Sequence, residues 1–241
     1  MTTTTSDPSV TFELRDRVAL LTIDDGKANA ITHGIADALL QSLERARTEA
    51  DAVVLAGRPG RFSAGFDLSV MTSGTTEARA LLGAGAEVSI AINGFPKPVV
   101  LAATGHALAM GAILLLAGDV RIGAEGNFKI GLNEVAIGMP VPRFTVELAR
   151  GCIAVGALNA AINLATVYDP AGAVAAGFLD RSVPEGEVVD AAIAEATELA
   201  GRLNARAFAE TRSFVRGASI ERVRAGLADD LRTFVVDLPE A

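Results

Sequence analysis

Glu134 is the residue whose surroundings most demand a chemical explanation. It lies in the stretch KIGLNEVAIGMPVP, Lys129 to Pro142, where Lys129 is its only charged neighbour and its flanks include Leu132, Val135, Ile137 and Met139. An acid among apolar side chains is expected against a core, where desolvation favours the neutral form and raises the pKa. Such a group is either tied down, by a salt bridge or a helix cap, or it is used as an acid or base.

Two other segments offer what a base next to a carbonyl would need. In RPGRFSAGFDL, Arg58 to Leu68, Gly60 and Gly65 interrupt the chain between a strand end and a helix start. Glycine allows close backbone approach to a ligand and leaves amides free to donate. Arg58 and Arg61 beside them suit an anionic or carbonyl-bearing ligand, and the alternative is a surface turn with two solvated arginines. In TGHALAMGAILL, Thr104 to Leu115, small residues with Gly105 and Gly111 separate a strand from an apolar helix. The first amides of a helix have no intrahelical partner and lie at the positive end of its dipole, so they stabilise charge developing on oxygen. The alternative there is a tight turn packed with small residues. A carboxylate combined with oxyanion donors is the equipment for abstracting a proton next to a carbonyl.

Other signals carry less. GAGAEV, Gly83 to Val88, begins like a dinucleotide fingerprint but sits inside a helical pattern instead of following a strand. Ser63 lacks the first glycine of a nucleophile elbow. His33 falls near a helix start and His106 in a glycine turn, and neither has the carboxylate pattern of a metal site, so no metal is expected. Cys152 reads as a small hydrophobe, and Glu147 as an ordinary exposed helix position.

The elements that must position these groups alternate. Strands are expected at Thr11 to Leu14, Val18 to Ile23, Ala52 to Gly57, Pro98 to Thr104 and Asp119 to Ala124, with helical patterns at about Thr32 to Glu49 and Thr76 to Ile92. The repeated order of strand, loop, helix and strand implies an α/β layered core. From about Leu148 the pattern turns to successive helices, the last segments covering Glu187 to Leu203, Arg206 to Arg216 and Ile220 to Val236, punctuated by VPEGE, Gly201 and Gly217.

Composition bounds the partners. The chain has 241 residues, 50% of them hydrophobic, enough for one large core. A formal net charge of -8 without a dense Lys/Arg run argues against a nucleic-acid surface. A single cysteine excludes an intrachain disulfide and fits a reducing, cytoplasmic setting. The opening MTTTTSDPS has neither the basic start nor the apolar run of a secretory signal, and no apolar stretch approaches membrane-spanning length. No membrane partner is expected.

Taken together and in this order, DDGKANAI, RPGRFSAGFDL, GHALAMGAILL and IGLNEVAIGMP resemble the crotonase superfamily, the enoyl-CoA hydratase/isomerase family, over nearly the whole chain from Val10 onward. The resemblance implies an α/β spiral core of repeated ββα turns over residues 10–195, after a disordered stretch at 1–9. It also implies a helical oligomerisation region over 196–241 and assembly as a homotrimer or a dimer of trimers. Its substrates are acyl-CoA thioesters, so coenzyme A belongs to the substrate and no separate cofactor is expected. By position, the two oxyanion amides fall on Phe66 and on Met110, where many relatives have glycine and where the larger side chain should narrow the pocket. Lys27, Ala28 and Ala30 correspond to the edge that contacts CoA, and Ala64 to a backbone contact with the adenine. Asp67 fixes the loop or caps the next helix.

The sequence departs from the hydratase pattern at one site. Hydratases of the family commonly use two glutamates, and the position of the first is Ile113. An alkyl side chain can neither hold nor polarise water, whereas moving a double bond needs one base to take a proton from C2 and return it to C4. RPGRFSAGFDL and IGLNE are also similar to the 3,2-trans-enoyl-CoA isomerase branch. The expected activity is therefore isomerisation through Glu134. Hydration by Glu134 alone, or acyl-CoA binding without catalysis, is the alternative.

Overall fold

The computed structural model describes residues 7–235. The chain opens with a hairpin in which β1 (Val10–Arg15) and β2 (Val18–Ile23) pair antiparallel across Asp16 and Arg17, both at positive φ. A two-residue β3 (Ala30–Ile31) leads to helix α1 (His33–Glu49), which starts where Thr32 accepts the Ile35 amide through its hydroxyl.

Three turns of one pattern follow. The first contains β4 (Ala52–Gly57), β5 (Gly60–Ser63) and β6 (Gly65–Phe66), then α2 (Leu68–Met71) and α3 (Thr75–Asn93). The second contains β7 (Val99–Ala103), β8 (Gly105–Leu108) and α4 (Met110–Ala117). The third contains β9 (Val120–Ala124), β10 (Ile130–Gly131), a 3₁₀ turn at Val135–Ile137, and α5 (Arg143–Cys152). Then come α6 (Leu158–Ile162), α7 (Pro170–Ala176), β11 (Arg181–Val183), α8 (Val188–Arg202) and α9 (Ala205–Thr233).

Each turn gives its first strand to a six-stranded sheet of order β1-β2-β4-β7-β9-β11, parallel except for β1, and its second to a parallel three-stranded sheet of order β10-β8-β5. This is the expected spiral of ββα turns. Alternation along the large-sheet strands builds two cores: Val53 and Leu55 face the main interior, while Ala52, Val54 and Ala56 face the opposite side. That opposite side is covered by α8, whose Val188, Ala192, Ala196 and Leu199 recur at helical spacing. Residue 195, read as the end of the core, falls inside this helix.

Several expectations change at closer range. Gly217 does not separate two helices, because α9 runs unbroken through it. One glycine inside a helix costs only ~1 kcal/mol, and α9 packs against α3 and α5. The segment after Leu148 is not wholly helical, since β11 extends the large sheet beside β9. Residues 7–9, read as disordered, form a turn in which Asp7 accepts the Ser9 and Val10 amides, while positions 1–6 lie outside the described residues. Glu147 is not a free surface acid: its carboxylate meets Arg222 of α9 at 2.9 Å and Arg150 at 3.4 Å. His106 lies in β8, where its Nδ1 accepts the Lys129 amide. Among the described residues no helix is long and apolar enough to cross a membrane.

Candidate active site

The small sheet gathers three segments that are far apart in sequence. Because β5, β8 and β10 are parallel, their carboxyl ends finish side by side, with Ser63 opposite Ala107, Ala107 opposite Ile130 and Leu108 opposite Gly131. The next few residues of each turn are Phe66, Met110 and Glu134. Ligands of α/β proteins commonly bind beyond the carboxyl ends of parallel strands, where the connections diverge. Here the Ala109 amide also donates to the Gly131 carbonyl at 3.1 Å, which joins the start of α4 to the segment that carries Glu134.

Gly65 brings the first two segments together. Its φ is +106°, and a Cβ built on it would lie 2.9 Å from the Ala109 Cβ and 3.5 Å from the Met110 nitrogen. Any side chain there would crowd the first amide of α4. Met110 is fully buried and its sulfur turns toward Gly85 of α3 instead of toward the cavity, so it does not narrow the pocket as its size led us to expect. The unusual backbone belongs to Ala109, at φ 47° and ψ −120°, a conformation that an L residue adopts only under constraint.

At this junction lies a cavity of about 190 Å³. Phe66, Ala109, Ile113, Met139 and Phe234 supply part of its apolar wall, and among the described residues the only polar side chains lining it are Asn133 and Glu134. Glu134 is 6% exposed, and its Oε2 is buried without a hydrogen-bond partner among the described residues. Burial pushes its pKa up to about 7, opposed weakly by its own backbone amide. The Glu134 carbonyl accepts the Ile137 and Met139 amides, so the turn holds its backbone while no side chain among the described residues ties Oε2. A carboxyl group with that pKa can take and return a proton near neutral pH. Ile113, 1% exposed, offers no second acid.

A second groove of about 420 Å³ shares Ala64, Phe66 and Leu68 with the cavity and extends past Lys27, Ala28 and Ala30. All four residues read as CoA contacts therefore line one surface that leads to Glu134. Two residues missed in the sequence shape this edge. Asp25 accepts the Lys27, Asn29 and Ala30 amides. Burial alone would raise its pKa, and these bonds outweigh it to hold the carboxyl below its usual range. Asn29, fully buried at φ 53°, donates to the Ile23, Arg61 and Phe62 carbonyls and staples the edge to β5. The signal for both was the Asp-rich turn before an asparagine, since Asp and Asn bond nearby backbone and Asn tolerates the left-handed conformation.

The remaining candidates are structural. Asp67 caps α2 by accepting the Ser69 amide. Ser63 donates its hydroxyl to the Asn29 carbonyl, and Cys152 donates to the Leu116 carbonyl. Among the described residues no group of three His, Cys, Asp or Glu side chains is placed to hold a metal.

Comparison with known proteins bears on the family and the fold. Residues 13–237 match the family model described as enoyl-CoA hydratase/isomerase. An enoyl-CoA hydratase/isomerase family protein from Pseudomonas syringae superposes with a TM-score of 0.91 at 39% identity, covering 94% of this chain and 98% of that one. The apo structure of Mtb enoyl-CoA isomerase superposes with a TM-score of 0.89 at 37% identity, covering 94% and 99%. A Bacillus subtilis protein named "Probable enoyl-CoA hydratase" is 36% identical over 131 residues, 53% of this chain and 50% of its own length. The names divide between the two reactions. The chain belongs to the enoyl-CoA hydratase/isomerase family of the crotonase superfamily.

Proposed function

We propose that the protein moves the double bond of a 3-enoyl-CoA thioester to the 2-position, with Glu134 as the single proton shuttle. The observation that carries this reading is a buried carboxylate, one of its oxygens without a partner among the described residues, facing an apolar cavity in which the position of a second acid is Ile113. Glu134 removes a proton from C2, and the electron pair of that bond moves into a dienolate. The amides of Phe66 and Met110 hold the enolate oxygen. Glu134 then returns the proton to C4 and the double bond settles between C2 and C3. Each oxyanion donor contributes about 2.7 to 4 kcal/mol in comparable sites. The Met110 amide suits the task because it opens α4 and has no intrahelical acceptor.

The CoA moiety lies along Lys27, Ala28, Ala30 and Ala64, arrives with the substrate, and makes a separate cofactor unnecessary. Assembly into a homotrimer or a dimer of trimers would cover exposed apolar side chains such as Val155, Leu164 and Phe214.

The test uses a cis-3-enoyl-CoA and, separately, a trans-2-enoyl-CoA, with products followed by chromatography. Formation of the 2-enoyl thioester from the first substrate, lost in Glu134→Gln, supports the one-base isomerase. Faster formation of 3-hydroxyacyl-CoA from the second would replace it with a hydratase. Acyl-CoA binding without either product would leave a binding protein.

A further inference from the structure

The shuttle mechanism leaves one polar group of the cavity without a role. Asn133 directly precedes Glu134 and lines the same cavity, and its Oδ1, like Oε2 of Glu134, is buried without a hydrogen-bond donor among the described residues. Among the described residues Asn133 alone lines both this cavity and a separate recess of about 410 Å³, bounded by Asn127, Lys129, Tyr168 and Asp169. The groove that would carry CoA does not include Asn133. That groove and the recess have no lining residue in common among the described residues, so substrate entering along Lys27 and Ala64 does not occupy the recess that Asn133 borders.

Two buried, unpartnered acceptors on consecutive residues of one cavity call for a molecule that donates hydrogens. The smallest molecule that donates two hydrogens is water, and buried water is retained where two or more polar partners hold it. We propose that Asn133 is a positioning residue: it holds a water against Glu134 and gives the glutamate a route to exchange its proton with the second recess while substrate fills the front groove. This rests on Glu134 being the proton shuttle. The proton balance is simple. Glu134 takes the C2 hydrogen and becomes a neutral acid. In D₂O that acid trades its hydrogen for deuterium with the held water, no bond to carbon being made or broken. The deuterium is then delivered to C4.

The experiment follows the label. Wild-type protein, Asn133→Leu and Asn133→Ser convert a cis-3-enoyl-CoA in D₂O, and mass spectrometry with NMR reads deuterium at C4 of the product formed in the first turnovers. Far-UV circular dichroism and thermal melting confirm that each variant is folded. Solvent deuterium is expected at C4 with wild-type protein, lost in Asn133→Leu with the C2 hydrogen carried over in its place, and regained in Asn133→Ser, whose hydroxyl can again hold water. A merely structural asparagine would change rate or melting temperature without moving this isotope ratio. Equal deuterium in wild-type protein and Asn133→Leu overturns the relay, as does a wild-type product that carries only the substrate's own hydrogen. A saturated acyl-CoA, whose C2 hydrogens the same base can exchange, separates the two hypotheses. Asn133-dependent C2 exchange without isomerisation refutes the assigned reaction and leaves the relay standing, and isomerisation without Asn133-dependent exchange does the reverse. Absence of both overturns both.

Discussion

Two interior carboxylates of this molecule are treated in opposite ways. Asp119, just before β9, accepts the Val99 amide at 2.8 Å and pairs with Arg212 and, at 3.0 Å, with Arg216 of α9. The arginines also reach backbone carbonyls at Asn93, Ala117 and Gly118. Asp119 is half-buried and Glu134 buried, yet one oxygen of Glu134 has no partner among the described residues. A buried charge left unpaired is unfavourable, and a paired one holds its elements in place. The fold therefore compensates charge where α9 is rooted and withholds compensation at the residue proposed as the proton shuttle.

The largest expected effect comes from removing the untied acid. Glu134→Gln should lower the isomerisation rate by roughly 10²- to 10⁴-fold, the range for loss of a positioned general base, and steady-state kinetics on a 3-enoyl-CoA would measure it. In the wild type, kcat/KM should rise with pH as Glu134 ionises, with a midpoint near its value of about 7. Stability should move the other way. The folded pKa lies above the unfolded one, so the folded state binds the proton more tightly, and the stabilisation this gives is complete below about 4.5 and is lost as pH rises through about 7. Above that pH, Glu134→Gln should be more stable than wild type by up to about 3 kcal/mol, with the difference fading in acid. Equal urea midpoints at pH 8 would show that the carboxylate is not strained by burial.

The converse variant breaks the tied acid. Asp119→Ala leaves Arg212 buried without its carboxylate, and loss of one partner from a buried pair costs roughly 3 to 5 kcal/mol. Burial already pushes the Arg212 pKa down, with Asp119 holding it up against that. Urea denaturation should record the loss, while the activity of the remaining folded protein stays close to wild type because Asp119 does not line the cavity. A loss under about 1 kcal/mol, the range of an exposed pair, would remove the contrast between the two sites.

How much of this was legible beforehand follows from the range of the interactions. The apolar setting of Glu134 is local, and so is the missing acid at Ile113; both could be read from neighbouring letters. The long strands of the large sheet could be read too, since Ala52 to Gly57 is a wholly buried run. The short strands β5, β6 and β8 are two to four residues long, and pairing with distant partners fixes them, not a local period. RPGRFSAGFDL therefore reads as loop. Asn133 looked like one polar letter in an apolar run, because its second recess is bounded by Val167, Tyr168 and Asp169, more than thirty positions later. Phe234 was beyond reach for the same reason: it lies a hundred positions from Glu134 and meets it only after α9 has crossed the molecule.

That meeting links the two regions, because α9 is anchored at Asp119 and ends at the cavity wall. Phe234 is 6% exposed, and its carbonyl accepts the Arg79 guanidinium at 3.1 Å. Phe234→Ala should enlarge the acyl cavity without touching Glu134. Selectivity should shift toward longer acyl chains by about tenfold in relative kcat/KM, the lower end of what one methylene contact is worth in an apolar pocket. A series of 3-enoyl thioesters of increasing length would measure the shift. An unchanged ranking would mean that the tail of the substrate runs elsewhere.

The smallest expected effect concerns Ala109. Its φ of 47° and ψ of −120° hold the first amides of α4 beside Gly65, and its methyl lines the cavity. A non-glycine residue in such a conformation costs on the order of 1 kcal/mol or more, and glycine adopts it freely, although glycine also loses more entropy on folding. Relief of the steric cost should outweigh the entropy, so Ala109→Gly should raise stability by about 1 kcal/mol. The helix start keeps its hydrogen bond to Gly131, so kcat should change little. A large drop in kcat with unchanged stability would show instead that the methyl contact with the reacting acyl group matters, and that the strain at Ala109 is maintained for chemistry in the same way as the unpaired charge of Glu134.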